Sequence, residues 1–200
     1  MADTTKHLTA AERRAATVGT VVELAAEQNP SDITTAAIAQ RMGVTQGALF
    51  RHFVSKEAIL KTVMGWISRQ LLGRIDAVAK DQTSSLAALK AMFMAHTEFV
   101  SSHPGVPRLV FGQLQQAEDS VPRQVVKKLT ADYGLRLRQH LQAGKDDGQF
   151  APDLDVNAAA VQFIGMIQGL VIQSLLADDP SHVERHAASV FALYARGLKS

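Results

Sequence analysis

The chain has 200 residues, of which 46% are hydrophobic and 20% are charged, with 21 basic against 19 acidic residues and no cysteine. This apolar fraction and near-balanced charge exclude a disordered tail, and the absence of cysteine excludes a disulfide scaffold or a thiolate metal site. We therefore expect a soluble globular protein of one large or two small domains, long enough to bury a core.

The sequence predicts neither export nor a membrane span. The N-terminal residues MADTTKHLTAAERR lack the apolar segment of a signal peptide, so we expect a cytoplasmic protein. The most hydrophobic stretch, residues 163–177, contains Gln168 and Gln173 and is shorter than the roughly 20 apolar residues that cross a bilayer.

Apolar residues recur at helical spacing along the whole chain, and alternating β-branched residues are nearly absent. We therefore predict an all-α protein of about nine helices. Caps and prolines mark their ends. The predicted helices run from a capping box at Thr9 to the break at Asn29-Pro30, over 35–42 and 46–50, from Ser55 toward Lys80, and over 84–102, 105–117, 122–143, 155–177 and 180–198. A polar, turn-rich loop is expected from Gly144 to Pro152.

Residues 34–50, TTAAIAQRMGVTQGALF, have the form of a helix-turn-helix. Gly43 permits the left-handed backbone conformation that reverses the chain between the two short helices. Thr45 caps the second helix, whose small, polar first turn suits entry into a DNA major groove. The turn chemistry alone leaves two interpretations open, DNA binding and a generic helical hairpin inside a core.

The segment TTAAIAQRMGVTQGALFRHFVSKEAIL, which begins at Thr34, resembles the TetR family of bacterial transcriptional repressors. The resemblance is specific over residues 33–60. Beyond residue 80 it rests on length, helix count and a late helix rich in small residues. It implies a three-helix DNA-binding domain over residues 1–54 and a larger helical domain for ligand binding and dimerisation over residues 55–200.

The resemblance also implies a DNA-facing surface. The residues expected near phosphates are Thr34, Thr35, Arg51, His52 and Lys56, and those expected at base edges are Thr45, Gln46, Gly47 and Ala48. Phe50 belongs to the same surface but departs from the family, which commonly has tyrosine there, so the phosphate hydrogen bond of that hydroxyl is missing. Asn29 also replaces a glycine often found after the first helix.

Charge is a weak indicator of DNA binding in this chain. Residues 1–60 hold equal numbers of basic and acidic side chains, so a broad basic patch is not expected. The placement of Arg13, Arg14, Arg51 and Lys56, at helix ends or beside the predicted reading helix, favours DNA.

The helix predicted over 155–177 has apolar residues around almost its whole circumference, so we expect other helices to pack against it on both sides. The resemblance makes it and the last helix the two helices of a two-fold, four-helix interface. The expected dimerisation residues are Gly165, Gly169, Ile172, Phe191 and Tyr194. A fully buried helix in a monomer is the alternative.

Large, adaptable apolar side chains are spread over the second half of the chain. The resemblance makes some of them walls of an effector pocket, and the candidates are Met64, Trp66, Met92, Phe93, Phe111, Phe163 and Met166. His96, together with Gln113 or Gln116, is the candidate polar contact to a ligand. Ordinary core packing is the alternative for each of these residues.

Enzyme and metal functions find little support in the sequence. His182 and His186 are spaced for one helix face, but no third ligand lies near them, so we expect neither a metal nor a cofactor. The aspartates between Asp146 and Asp155 lack the spacing of a calcium loop. No phosphate-binding loop, nucleophile elbow or catalytic acid pair is present, so we expect no enzyme.

These observations favour a homodimeric repressor that a small, largely apolar effector releases from a palindromic double-stranded DNA operator. Two reading helices would enter successive major grooves, roughly 34 to 36 Å apart. The alternative is a ligand-binding or scaffold protein of the same fold without sequence-specific DNA binding, which Phe50 and the neutral first domain would favour.

Overall fold

A computed structural model describes residues 9–116 and 119–199. Within these ranges the chain forms nine α-helices and one short 3-10 helix and contains no strand, which confirms the predicted all-α fold. In chain order they are α1 Ala10–Glu27, the 3-10 helix Pro30–Asp32, α2 Thr35–Arg41, α3 Gln46–Phe50, α4 Lys56–Lys80, α5 Ser85–Ser102, α6 Gly105–Leu114, α7 Val121–Asp146, α8 Val156–Leu176 and α9 Ser181–Gly197.

Hydroxyl side chains cap the helices of the N-terminal third, as predicted. Thr9 accepts a hydrogen bond from the Glu12 amide at 3.2 Å, and the Glu12 carboxylate accepts one from the Thr9 amide at 2.8 Å. Asn29 accepts from the Ser31 amide at 3.1 Å and so caps the 3-10 helix. This short helix, not a glycine turn, leads the chain from α1 to α2.

Two predicted helix ends differ from the structure. The polar loop predicted from Gly144 to Pro152 is wrong at its start, because α7 continues through Gly144 to Asp146. The Phe150 ring packs so closely over Gly144 that a Cβ there would overlap it, so the glycine serves packing inside the helix. Helix α6 ends at Leu114, and residue 117, where its end was predicted, lies outside the described residues.

The long helix α4 runs from the N-terminal helices into the C-terminal bundle, where it packs on α5 and α7. Helix α5 lies inside this bundle, against α4, α7, α8 and α9. Its Phe93 ring meets the edge of the Phe163 ring at a centroid distance of 5.3 Å. Arg136 on α7 forms a bidentate ion pair with Asp76, at 2.6 and 2.9 Å, which joins α7 to α4.

Helix α6 lies against the N-terminal helices. Gly105 is buried at its first turn, and a Cβ there would overlap the Val22 carbonyl oxygen of α1. At the other end of α6, a Cβ on Gly112 would lie 3.7 Å from Cβ of Pro30 in the 3-10 helix. Helix α6 therefore contacts both elements that precede the helix-turn-helix.

Among the described residues, α8 is long and apolar enough to span a membrane when judged by length and composition alone. Its residues Phe163, Ile167 and Leu170 are buried within the bundle. Core helices of soluble proteins pass the same test.

Candidate functional site

The helix-turn-helix has the predicted geometry. Gly43 adopts a φ of +66° at the turn between α2 and α3. Leu49 and Phe53 are buried and hold the rear of α3 against the core. Because they do so, the opposite side, which carries Gln46 and Gly47, is exposed to solvent.

The residues predicted to face bases lie together at the start of α3. The Thr45 hydroxyl accepts a hydrogen bond from the Ala48 amide at 3.2 Å, so it caps the helix and stays exposed. Ala48 is half-buried. The Gln46 side-chain amide donates to the Thr35 hydroxyl at 2.7 Å, a contact that the sequence pattern did not indicate. An exposed, oriented glutamine amide at the start of a helix is a group that direct base readout can use.

The residues predicted to face phosphates lie on several elements of this region. Thr34 is exposed, and its hydroxyl accepts from the Ala37 amide at 3.1 Å, which leaves its own proton available to an acceptor. The Lys56 ammonium donates to the Ser31 carbonyl oxygen at 3.3 Å.

Two further residues of this group flank the reading helix at its far end. Arg51 is exposed and His52 is half-buried. Arg41, by contrast, forms an ion pair with Glu27, so its charge is partly neutralised.

Phe50 lies at the surface of α3. Its side chain is 43% exposed, which leaves part of the ring accessible to solvent. The neighbouring Val54 is almost fully exposed, and the sequence pattern did not single it out.

An apolar strip runs along the outer side of α8. It comprises Val161, Gly165, Gly169, Ile172 and Leu176, which recur at intervals of three or four residues and are all exposed, Val161 and Leu176 by 73% and 75%. We call it the α8 strip. Because a Cβ at Gly165 or Gly169 would meet nothing within 4 Å, these glycines leave open space on the outside of the protomer.

Two predicted dimerisation residues do not belong to this strip. Phe191 and Tyr194 are each 3% exposed, so they cannot meet a partner. The Phe191 ring packs on Phe93 at 5.4 Å, and the Tyr194 hydroxyl donates to the Ala159 carbonyl oxygen at 3.0 Å. The prediction for these two residues is wrong because α9 turns its aromatic side inward.

A cavity of about 100 Å³ lies among α4, α5, α6, α7 and α8. Of the predicted ligand-binding residues, His96 and Phe111 line it. The other six do not line this cavity. Met64, Met92, Phe93 and Phe163 are buried in the core, Met166 is partly buried against that core, and Trp66 lines a separate groove beside α1.

His96 has a different polar partner from the one predicted. Its Nδ1 atom lies 3.3 Å from the hydroxyl oxygen of Tyr133 on α7. Burial lowers the pKa of His96 to about 4 and raises the pKa of Tyr133, so both are uncharged at neutral pH. Gln113 and Gln116 instead line a groove beside the 3-10 helix, which corrects their predicted role.

The His182 and His186 rings lie next to each other on α9, with centroids 4.5 Å apart and planes tilted by 46°. Within residues 9–116 and 119–199, no group of three or more metal-ligating side chains converges.

Comparison with known proteins gives matches over both halves of the chain. The model of bacterial regulatory proteins of the tetR family matches residues 20–63, and the tetracyclin repressor-like C-terminal domain matches residues 86–190. Nucleoid occlusion factor SlmA of Vibrio cholerae is 29% identical over 147 residues, which are 73% of this chain and 74% of that protein.

Solved structures share the fold. The transcriptional regulator FadR from Bacillus subtilis, in complex with stearoyl-CoA, has a TM-score of 0.79 at 22% identity and covers 92% of this chain and 98% of its own. The fatty acid degradation regulator FadR from Bacillus halodurans has a TM-score of 0.81 at 20% identity, over 93% and 96%.

Proposed function

Because this chain belongs to the TetR family of bacterial regulatory proteins, we propose that it is a homodimeric repressor that a small, largely apolar effector releases from a palindromic operator. The exposed polar first turn of α3, held from behind by Leu49 and Phe53, carries the proposal. In the proposed repressor, residues 1–54 bind DNA in the cytoplasm. Residues 55–200 bind the effector and the second protomer, and no enzymatic step is involved.

On DNA, α3 enters the major groove with Gln46 at a base edge. A glutamine amide pairs with adenine through one N–H and one carbonyl oxygen. Lys56, Arg51 and the Thr34 hydroxyl contact the phosphates on either side. Such contacts position the protein without reading sequence.

The dimer forms through the α8 strip. An exposed apolar strip of this kind is costly in a monomer, and a second copy of the same strip covers it by two-fold symmetry. The two glycines let the paired helices approach closely. Two copies of α3 then occupy successive major grooves, roughly 34 to 36 Å apart.

Helix α6 connects the cavity to the DNA-binding helices. Its residues Val106, Pro107, Val110 and Phe111 form one wall of the cavity. Its opposite side contacts α1 through Gly105. A change in the position of this wall therefore moves the support on which the helix-turn-helix rests.

The size of the cavity supports a switch. Ligand pockets commonly measure about 300 to 1,000 Å³, whereas this cavity has about 100 Å³. An effector of ordinary size therefore binds a wider state better than the described one. An effector shifts an equilibrium between two states only by the difference between its affinities for them. In this proposal the effector therefore favours the state with the wider cavity, in which α6 is displaced and DNA is released.

Selection of bound duplexes from a random pool tests this function. We expect an inverted repeat whose half-sites lie about one helical turn apart, bound by two protomers with strong salt dependence. Sedimentation of the complex gives the stoichiometry. Equal affinity for every duplex would refute sequence-specific binding.

The second candidate is a ligand-binding or scaffold protein of the same fold that does not read DNA. Phe50 in place of the family's tyrosine and the neutral charge of residues 1–60 favour it. A dimer that binds effector-like molecules but shows no preferred duplex would support this candidate.

A further inference from the structure

The cavity combines mostly apolar walls with four polar side chains, His96, Thr130, Tyr133 and Gln168. Apolar side chains supply most of its surface, including Phe99, Leu129 and Ile167. His96 and Tyr133 contact each other within the cavity lining. Among the described residues, no aspartate, glutamate, lysine or arginine lines this cavity.

The polar pair retains hydrogen-bonding capacity. A neutral imidazole has one donor and one acceptor, and the contact between Nδ1 and the Tyr133 hydroxyl uses one of them. Within the described part of the chain, Nε2 of His96 has no hydrogen-bond partner, yet it is not fully buried. The Thr130 hydroxyl already donates to the Val126 carbonyl oxygen, and Gln168 is exposed on α8. Nε2 of His96 is therefore an open polar atom that a ligand can reach among mostly apolar walls.

The surroundings select against an ionic group. A charge buried without a counter-ion is strongly unfavourable, and neither member of the pair supplies one. Arg74 lies over the Phe99 ring, 5.2 Å from its centroid, but is not part of the cavity lining. A groove that shares Val100, Pro107 and Val171 with the cavity holds Arg108. That groove also holds Asp178 and Asp179. Asp179 forms an ion pair with Arg185, and Asp178 opposes the charge of Arg108 toward an anion.

This inference rests on the proposed function of the same site as an effector pocket. We propose that the effector is an uncharged, apolar molecule with one hydroxyl or carbonyl oxygen. That oxygen hydrogen-bonds to the pair His96 and Tyr133. The apolar walls bind its hydrocarbon part. The pair discriminates between this oxygen and either a plain hydrocarbon or a carboxylate.

Three probes of one shape test the proposal: 4-propylphenol, propylbenzene and 4-propylbenzoate, each added to the DNA-free protein at pH 7.5. Trp66 is the single tryptophan of the chain, and its ring centroid lies 6.2 Å from that of Phe99 in the cavity wall, so its fluorescence reports binding. We expect the phenol to bind about tenfold more tightly than the hydrocarbon, as one well-formed hydrogen bond provides. The benzoate should bind more weakly than the phenol by at least as much.

Variants assign the preference to the pair. Tyr133→Phe and His96→Phe should each reduce the advantage of the phenol over propylbenzene to within about twofold, while propylbenzene itself still binds and shows that the cavity has formed. Tyr194→Phe is the matched control, because its hydroxyl donates to Ala159 outside the cavity lining. It should leave the phenol preference unchanged.

Equal or tighter binding of the benzoate would overturn the proposal, as would a phenol preference that survives both variants or no binding by any probe. Operator binding is measured separately. If the protein prefers the phenol but binds no duplex selectively, the repressor function alone is contradicted. If it binds its operator but prefers the carboxylate, this inference alone is contradicted.

Discussion

The Gln46 side-chain amide donates a 2.7 Å hydrogen bond to the Thr35 hydroxyl, which joins the first residue of α3 to the first residue of α2. A glutamine amide has two N–H donors and one carbonyl oxygen. The bond to Thr35 uses one donor and leaves the donor and the acceptor that adenine requires. The contact therefore orients the amide and leaves one N–H and the carbonyl oxygen available for a base.

Gln46→Ala should reduce operator affinity by about 1 to 3 kcal/mol, and mainly at one base position, because the amide reads a base edge. Thr35→Val should reduce discrimination at the same position by less, since the amide is then present but no longer oriented. Titration against operators changed one base pair at a time measures both effects. A uniform loss on all operators would contradict base reading by Gln46.

Lys56→Ala should weaken binding to all duplexes equally and lower the salt slope by about one counterion, because a phosphate contact carries no sequence information. Lys61→Ala is the matched control, an exposed lysine farther along the same helix. Affinity measured over a range of salt concentrations gives both slopes. A change in sequence preference with an unchanged slope would rule out this role for Lys56.

Phe50→Tyr should strengthen operator binding by about 0.5 to 1.5 kcal/mol, since a new hydroxyl can donate to a phosphate in place of water. The 43% exposure of the Phe50 side chain leaves room for that hydroxyl. Base preference should not change. Titration of both proteins on one duplex at fixed salt measures the gain. Unchanged or weaker affinity would mean that this ring edge faces away from the phosphate.

Gly169→Leu should disrupt the dimer, because a large side chain would separate helices that pair through the α8 strip. Since a Cβ at Gly169 meets nothing within 4 Å, the protomer itself should fold normally. Gly73→Leu is the matched control, an exposed glycine in α4 with equally open surroundings. Sedimentation velocity distinguishes monomer from dimer. An intact dimer of normal affinity in Gly169→Leu would place the interface elsewhere.

Acid should destabilise the protein through His96. Its pKa is about 4 when folded against about 6.5 in an unfolded chain, so between these values the unfolded state binds the proton and the folded state does not. The free energy of unfolding should therefore fall as the pH drops from 6.5 to 4, by up to about 3 kcal/mol.

Denaturant titrations over this pH range measure the effect. His96→Phe should show a much shallower dependence, with a remainder from His140, whose pKa burial also lowers. The carboxylates with lowered pKa values, such as Asp179 at about 2, lose their contribution mostly below this window. An unchanged pH dependence in the His96 variant would assign the effect to other groups.

Local chemistry made the helix-turn-helix predictable. Thr9, Thr34, Thr45 and Ser55 each accept a hydrogen bond from an amide three residues later, and Gly43 has the positive φ that its position demands. Each of these features depends on neighbours within a few residues. The caps and the turn of this motif could therefore be predicted from the sequence alone.

Contacts between distant helices were not predictable in the same way. His96 and Tyr133 are 37 residues apart, and nothing in the periodicity of α5 or α7 indicates that they meet. Helical spacing showed that Ile172 and Tyr194 lie on apolar helices, but which of them faces inward depends on the packing of α8 on α9. The exposed Ile172 and the buried Tyr194 differ for that reason.

The contact between Gly105 and Val22 limits how α6 can move. Because no space separates the two backbones, the start of α6 cannot advance toward α1, and the helix can only tilt about this point. Phe111 lies six residues farther on, about 9 Å along the axis at 1.5 Å per residue. When an effector pushes the cavity wall outward at Phe111, α6 tilts about Gly105, and its far end at Gly112 moves most. Gly112 lies next to Pro30, so we expect the largest displacement at the 3-10 helix, where the chain enters α2.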